Sequence, residues 1–268
     1  MISRIALPSS TRPLRTFTAI AALAGALAGC ASLKQPTETT GSIGVASPVA
    51  SNPEDSRREE DAWGERYQAN PSDAETAIRY AQSLRGSGQR AQAVAVLEQA
   101  SLRNPKNMEI LGAYGRALAD VGNYQQALDV LGRAHTPDHP DWRILNAQGA
   151  VLDQMGRHTD AQRYYETALK IVPDEPSILS NLGLSYALSK DLPRAEATLR
   201  RAAAGPRVDP RVRQNLALVV GLQGRFAEAE TIARADLPPD EASANVAYLR
   251  QMISRETARR ATPANGRS

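Results

Sequence analysis

His135 and His139 stand four residues apart with Asp138 and Asp141 beside them, donors of the kind that hold a divalent metal. Two imidazoles at that spacing converge only on a continuous helix, and Pro137 and Pro140 forbid one. A proline-punctuated turn without metal is the expectation. His158, the remaining histidine, falls at a turn between helical segments and is expected to face solvent. The glycines form no phosphate-cradling loop, because they recur at a fixed interval as structural punctuation. With no catalytic constellation in view, the reading is a protein that is not an enzyme. It takes no cofactor, no metal and no small-molecule substrate.

Cys30 is the only cysteine, so no disulfide forms within the chain. Arg4, Arg12 and Arg15 precede an uncharged run from Phe17 to Ala28, too short to span about 30 Å of hydrocarbon as a helix. The run ends at Leu27-Ala28-Gly29-Cys30, which resembles the lipobox cut by signal peptidase II. That resemblance implies a signal peptide over 1–29 and a lipid on Cys30. Ala31 at the next position favours sorting to the periplasmic face of the outer membrane of a Gram-negative bacterium. The net charge of +3 then belongs to the precursor: residues 1–29 hold three arginines and no acid, leaving 29 basic and 29 acidic residues. Nothing in that balance points to nucleic acid. Residues 30–55, rich in Ser, Thr, Pro and Gly, read as the lipidated cysteine and a flexible tether.

These features must be positioned by the rest of the chain, and the rest is periodic. Ala93, Ala127, Ala161, Ala195 and Ala229 are each 34 residues apart. The same interval links Ala81, Gly115, Gly149, Gly183 and Ala217, and also Ala100, Ala134, Ala168 and Ala202. Gly88, Gly122, Gly156 and Gly224 form a fourth column, broken by Lys190. Small residues in register let two helices cross closely, with larger apolar residues one turn away. The glycine column marks where a left-handed residue ends the first helix of each pair. Aromatics are only 4% of the chain and strand signals are weak.

This pattern is that of the tetratricopeptide repeat. The resemblance implies an all-α fold: a right-handed superhelical solenoid of about five helix–turn–helix repeats with N- and C-terminal cap helices. The expected divisions are an N-terminal cap helix over 56–73, five repeats over 74–240, a C-terminal cap helix over 241–260 and a disordered tail over 261–268. Trp63 and Tyr67 belong to the first cap, and Ala244, Tyr248 and Ile253 are expected to pack inward from the second.

The inner face of such a stack is lined by the first helix of each pair. The expected partner-binding groove holds Gln82, Arg85, Arg116, Asp120, Asn146, Ala150 and Asp153 in the first three units. Asn181, Leu184, Leu188, Asn215, Leu218 and Leu222 continue it in the last two. Its character passes from charged to apolar. Either a partner segment lays an apolar face on the leucines, or the leucines pack against the C-terminal cap helix. Asn181 and Asn215 occupy one position in consecutive units. Similar residues in peptide-binding arrays hydrogen-bond the ligand backbone, and the other reading is a solvated side chain. Ile78 and Gly112 stand where a chaperone-tail receptor needs polar donors, so that function is rejected.

A more specific resemblance lies near the C-terminus. It runs from Asn215-Leu216-Ala217-Leu218 through Gly224-Arg225-Phe226 and Ala227-Glu228-Ala229-Glu230. Asp236-Leu237-Pro238-Pro239 and Ala244-Asn245-Val246-Ala247-Tyr248-Leu249-Arg250 follow. These stretches resemble the TadD-type lipoproteins of the tight-adherence (Flp) pilus system. The resemblance implies an outer-membrane lipoprotein needed for pilus assembly, acting as a pilotin on the secretin. The alternative is a general cell-envelope scaffold that bridges periplasmic partners through its outer face.

Overall fold

The structure, a computed structural model, describes residues 53–205 and 208–261. Cys30, the lipobox, the tether before Pro53 and the tail after Ala261 lie outside the described residues. Twelve helices make up the described chain: α1 (Pro53–Ala69), α2 (Ala74–Gly86), α3 (Arg90–Arg103), α4 (Met108–Asp120), α5 (Tyr124–Gly132), α6 (Trp142–Gln154), α7 (His158–Ile171), α8 (Pro176–Leu188), α9 (Leu192–Ala202), α10 (Pro210–Leu222), α11 (Phe226–Ala233) and α12 (Pro239–Ala261). From α2 to α11 they form five antiparallel pairs, flanked by α1 and α12. This is the expected all-helical solenoid.

Local chemistry starts and stops each first helix on schedule. Asp73, Asn107, Asp141, Glu175 and Asp209 each stand just before a first helix and accept a hydrogen bond from a backbone N–H of its opening turn. Each first helix then closes one residue beyond its C-cap at a left-handed position: Gly88, Gly122, Gly156 and Gly224 have φ of 74–85°. Lys190 breaks the glycine column yet keeps the conformation, at φ 68°.

Inside each pair the small column sets the crossing. A Cβ added to Gly149 would sit 2.5 Å from the Tyr165 ring, so only glycine lets α6 and α7 approach with that ring between them. Tyr165 is among the largest fully buried side chains. The apolar core runs on through the stack but changes hands at α6. Ala147 and Val151 belong to the first cluster, Leu145 and Leu152 to the second.

The cap helices seat differently from each other. On α1, Tyr67 lies 5.6 Å from the Tyr80 ring and packs on the first core cluster. On α12, Ala242 and Val246 are buried and Leu249 rests where Gly221 leaves room. Ala244 and Tyr248, expected to point inward, are exposed instead. The inward face follows Ala242, Val246, Leu249 and Ile253, a helical phase set by the start at Pro239 and by Gly221, and Tyr248 lies outside it.

Candidate protein-binding groove

Successive first helices touch one another, α2 with α4, α4 with α6, α6 with α8 and α8 with α10, while no second helix approaches another. The first helices therefore make the tight inner face, and their outward side chains line the groove. Polar bonds one residue longer than the repeat stitch that face. Arg85 Nε donates to Asp120 Oδ2 between α2 and α4. Asn181 Nδ2 donates to Asn146 Oδ1 (3.0 Å) between α6 and α8, and Asn215 Nδ2 to Ser180 Oγ (3.1 Å) between α8 and α10. The two asparagines are thus neither simply solvated nor wholly free for a ligand: their amide donors tie neighbouring units. Asn146 itself is buried under this pair, so it cannot present its side chain to an incoming segment as expected. Gln82 is exposed on α2.

Arg116 stands apart. Burial pushes its guanidinium down to about 10, Arg85 nearby adds to the effect, and Asp141 and Asp120 oppose it. It has no ion-pair or hydrogen-bond partner among the described residues. Toward the other end, Leu188, Leu218 and Leu222 are 57%, 41% and 38% exposed, and Leu184 is half-buried. The cap helix seats its Leu249 against Gly221 of α10. Leu222 opens onto a cleft of about 660 Å³ shared with Phe226 on α11 and Ile253 on α12.

Asp153, placed in the groove by its spacing, sits between units at 9% side-chain exposure. It accepts from Tyr165 Oη (3.0 Å) and Ser185 Oγ (2.8 Å) and lies 2.8 Å from His158 Nδ1. His158 is therefore not solvent-facing: it opens α7 and turns back onto Asp153. Burial and the adjacent Asp153 carboxylate raise the Tyr165 phenol well above its ordinary range. Serine and histidine both bond the same aspartate oxygen, Oδ1. This arrangement ties α6, α7 and α8 to one another. At the other histidine pair, His139 N donates to Thr136 O (3.1 Å), closing a turn as the prolines suggested. No group of three or more potential metal ligands assembles among the described residues.

A family model described as Anaphase-promoting complex, cyclosome, subunit 3 matches residues 61–134. Two described as Tetratricopeptide repeat match residues 146–210 and 210–235. Comparison with curated proteins gives no match. Among solved structures, PilW, a widely conserved type IV pilus biogenesis factor, aligns with a TM-score of 0.64 and 17% identity over 72% of this chain and 91% of its own. A tetratricopeptide-repeat protein from Parabacteroides merdae aligns at 0.63 and 12% identity over 73% and 78%. PilF of Pseudomonas aeruginosa aligns at 0.54 and 18% over 67% and 82%. At these identities the likeness is one of fold. The 34-residue period, the five stacked hairpins and the matches over 146–235 together make this chain a tetratricopeptide-repeat protein.

Proposed function

We propose that this chain is a lipid-anchored scaffold of pilus assembly whose inner groove binds a segment of a protein partner. The exposed leucines carry the reading. Leu188, Leu218 and Leu222, all on first helices of the last two units, stay 57%, 41% and 38% exposed. Covering a leucine stabilises a complex by about 1.5–3 kcal/mol, so an amphipathic partner helix gains from this face. The pilus assignment draws on two supports: the TadD-like stretches near the C-terminus, and a fold shared with PilW and PilF. In this reading the lipid on Cys30 holds the groove at the periplasmic face of the outer membrane, within reach of the secretin. One acyl chain anchors marginally and several anchor stably.

The test is crosslinking and recovery from membranes of the wild type beside a Leu218→Glu, Leu222→Glu variant. Secretin or other pilus components recovered by the first and lost by the second support the groove. Equal recovery removes it. Cys30→Ser is expected to release the protein to the soluble periplasm, and unchanged membrane fractionation would sink the anchor.

One observation favours a second reading, an envelope scaffold working through its outer face. A cleft of about 530 Å³ opens there between α5 and α7, with Gln148 of α6 in its lining. In that case outer-face substitutions, not the leucine pair, would change the partners recovered.

A further inference from the structure

The first half of the groove holds a cation, Arg116, that has no ion-pair partner among the described residues. Arg116 lies across the α4–α6 contact, its Nη1 3.5 Å from where a Gly112 side chain would begin. Gly112 is what lets Ile144 of α6 close in: a Cβ there would come within 2.7 Å of Ile144 Cδ1. That approach strips water from the guanidinium. The carboxylates nearest in the field are already engaged, Asp120 by Arg85 and Asp141 as the cap of α6, where it accepts from Arg143 N (2.7 Å). Arg85, Arg116 and Arg143 against Asp120 and Asp141 leave one positive charge.

We propose that Arg116 is the receptor for one acidic side chain, an aspartate or glutamate, on the protein segment that occupies the groove. This deepens the groove reading and rests on it. A guanidinium offers a planar fork of donors that matches a carboxylate, and it gains most where water is already excluded. The surplus of a single charge suits a carboxylate; a phosphate dianion would meet Asp120 and Asp141 as well. A chain terminus fits less well, because Ile78 and Gly112 supply no second donor to grip it.

The location also fixes a spacing. From α4 to α8, where the leucines begin, is two helix-to-helix steps of about 8–10 Å each. An extended segment covers that distance in about 5–6 residues and a helical one in about 11–13. The partner therefore carries its acid at such an offset from its apolar anchors.

Selection from a random peptide display library on the full chain in detergent tests this, with Arg116→Met, Arg116→Lys and the Leu218→Glu, Leu222→Glu variant in parallel. The wild type is expected to enrich peptides that pair an acid with apolar residues at one of those offsets. Changing that acid to its amide should weaken binding about tenfold or more. Arg116→Met should keep the apolar anchors and lose the acid, while Arg116→Lys keeps part of the preference. Thermal melting of Arg116→Met at or above the wild-type temperature shows that the fold is intact. Acid-free selected peptides, or equal acid enrichment with Arg116→Met, overturn the proposal and leave the groove standing. Peptides that bind the leucine variant as well as the wild type, or no enrichment at all, remove the groove reading and this inference with it.

Discussion

Where α6 and α7 meet α8, the buried polar groups find partners: Asp153 takes hydrogen bonds from Tyr165 and Ser185 and pairs with His158, and Asn146 receives the Asn181 amide. Where α4 and α5 meet α6, they do not. His135 Nδ1 and Gln148 Oε1 are buried without a partner among the described residues, and Arg116 has no ion-pair partner among them. The two joints are built from one repeat and differ by a single step along it. A fully connected network stabilises and specifies packing, while an orphaned group costs its desolvation. Orphans that persist in an otherwise consistent fold mark places shaped by something other than stability. The third-to-fourth joint is the fastening of the solenoid, and the second-to-third is its exposed business.

The sharpest way to break that comparison is Asp153→Ala. It strands the Tyr165 and Ser185 hydroxyls and the His158 ring together, and is expected to destabilise by about 3–5 kcal/mol. Because solenoid units couple mainly to their neighbours, hydrogen exchange should show α6 to α8 losing protection while α2 and α3 keep theirs. Wild-type protection across α6 to α8 would mean that the network fastens nothing.

The joint between the last two units gives a control of another kind. Partial burial pushes Glu196 up, but hydrogen bonds from Arg225, Gln223 and Arg200 outweigh it and hold the carboxyl at about 2. A depressed acid stabilises the fold fully above its unfolded value of 4.5, and that contribution is lost as pH falls through about 2. Allowing for solvent at the half-exposed arginines, the loss is about 2–3 kcal/mol. Acid titration of stability should therefore flatten in Glu196→Gln, the change falling on α9 to α11. An unchanged acid limb would put the sensitivity elsewhere.

The satisfied parts of the molecule were the more legible ones. The helix crossings, the left-handed turns and the order of pairs all follow from residues that repeat every 34 positions, since each answers a demand that every unit shares. One such column is hard to see in the sequence. Asp73, Asn107, Asp141, Glu175 and Asp209 recur at the same interval, but three residue types share the capping task and mask the identity. What the period cannot reveal is what happens between units. The bonds of Arg85 to Asp120, Asn181 to Asn146 and Asn215 to Ser180 span 35 residues and depend on how far one helix slides along the next. His158 looked solvated because its partner lies across a turn, in a side chain assigned to the groove. Tyr248 departs from its expected inward position because the repeat ends before α12, so nothing periodic sets that helix's phase.

Arg116→Met tests the loose joint from its inner side. Replacing a partly buried cation that has no ion-pair partner among the described residues by an apolar chain of similar length should stabilise, by about 1–3 kcal/mol. For a chain of this size that is about 2–4 °C of melting temperature per kcal/mol, read by circular dichroism. A lowered melting point would show that the guanidinium is held by something that matters to the fold, and the contrast between the joints would narrow.

Gln148→Leu tests the same joint from its outer side and has the smallest expected effect. Gln148 is only 5% exposed, and its Oε1 is one of two buried side-chain atoms without a partner among the described residues. Leucine removes that atom with little change of volume, so stability should rise by about 1 kcal/mol. The sign is what decides. A gain means the amide is kept for a guest in the outer cleft beside Leu128, Leu152 and Tyr164, and partner recovery from membranes should then fall with this substitution. A loss of similar size means that the cleft satisfies the amide with bound water, as wet polar cavities do. The orphaned groups of this joint would then reduce to Arg116 and His135, and the outer-face reading would lose the observation that favours it.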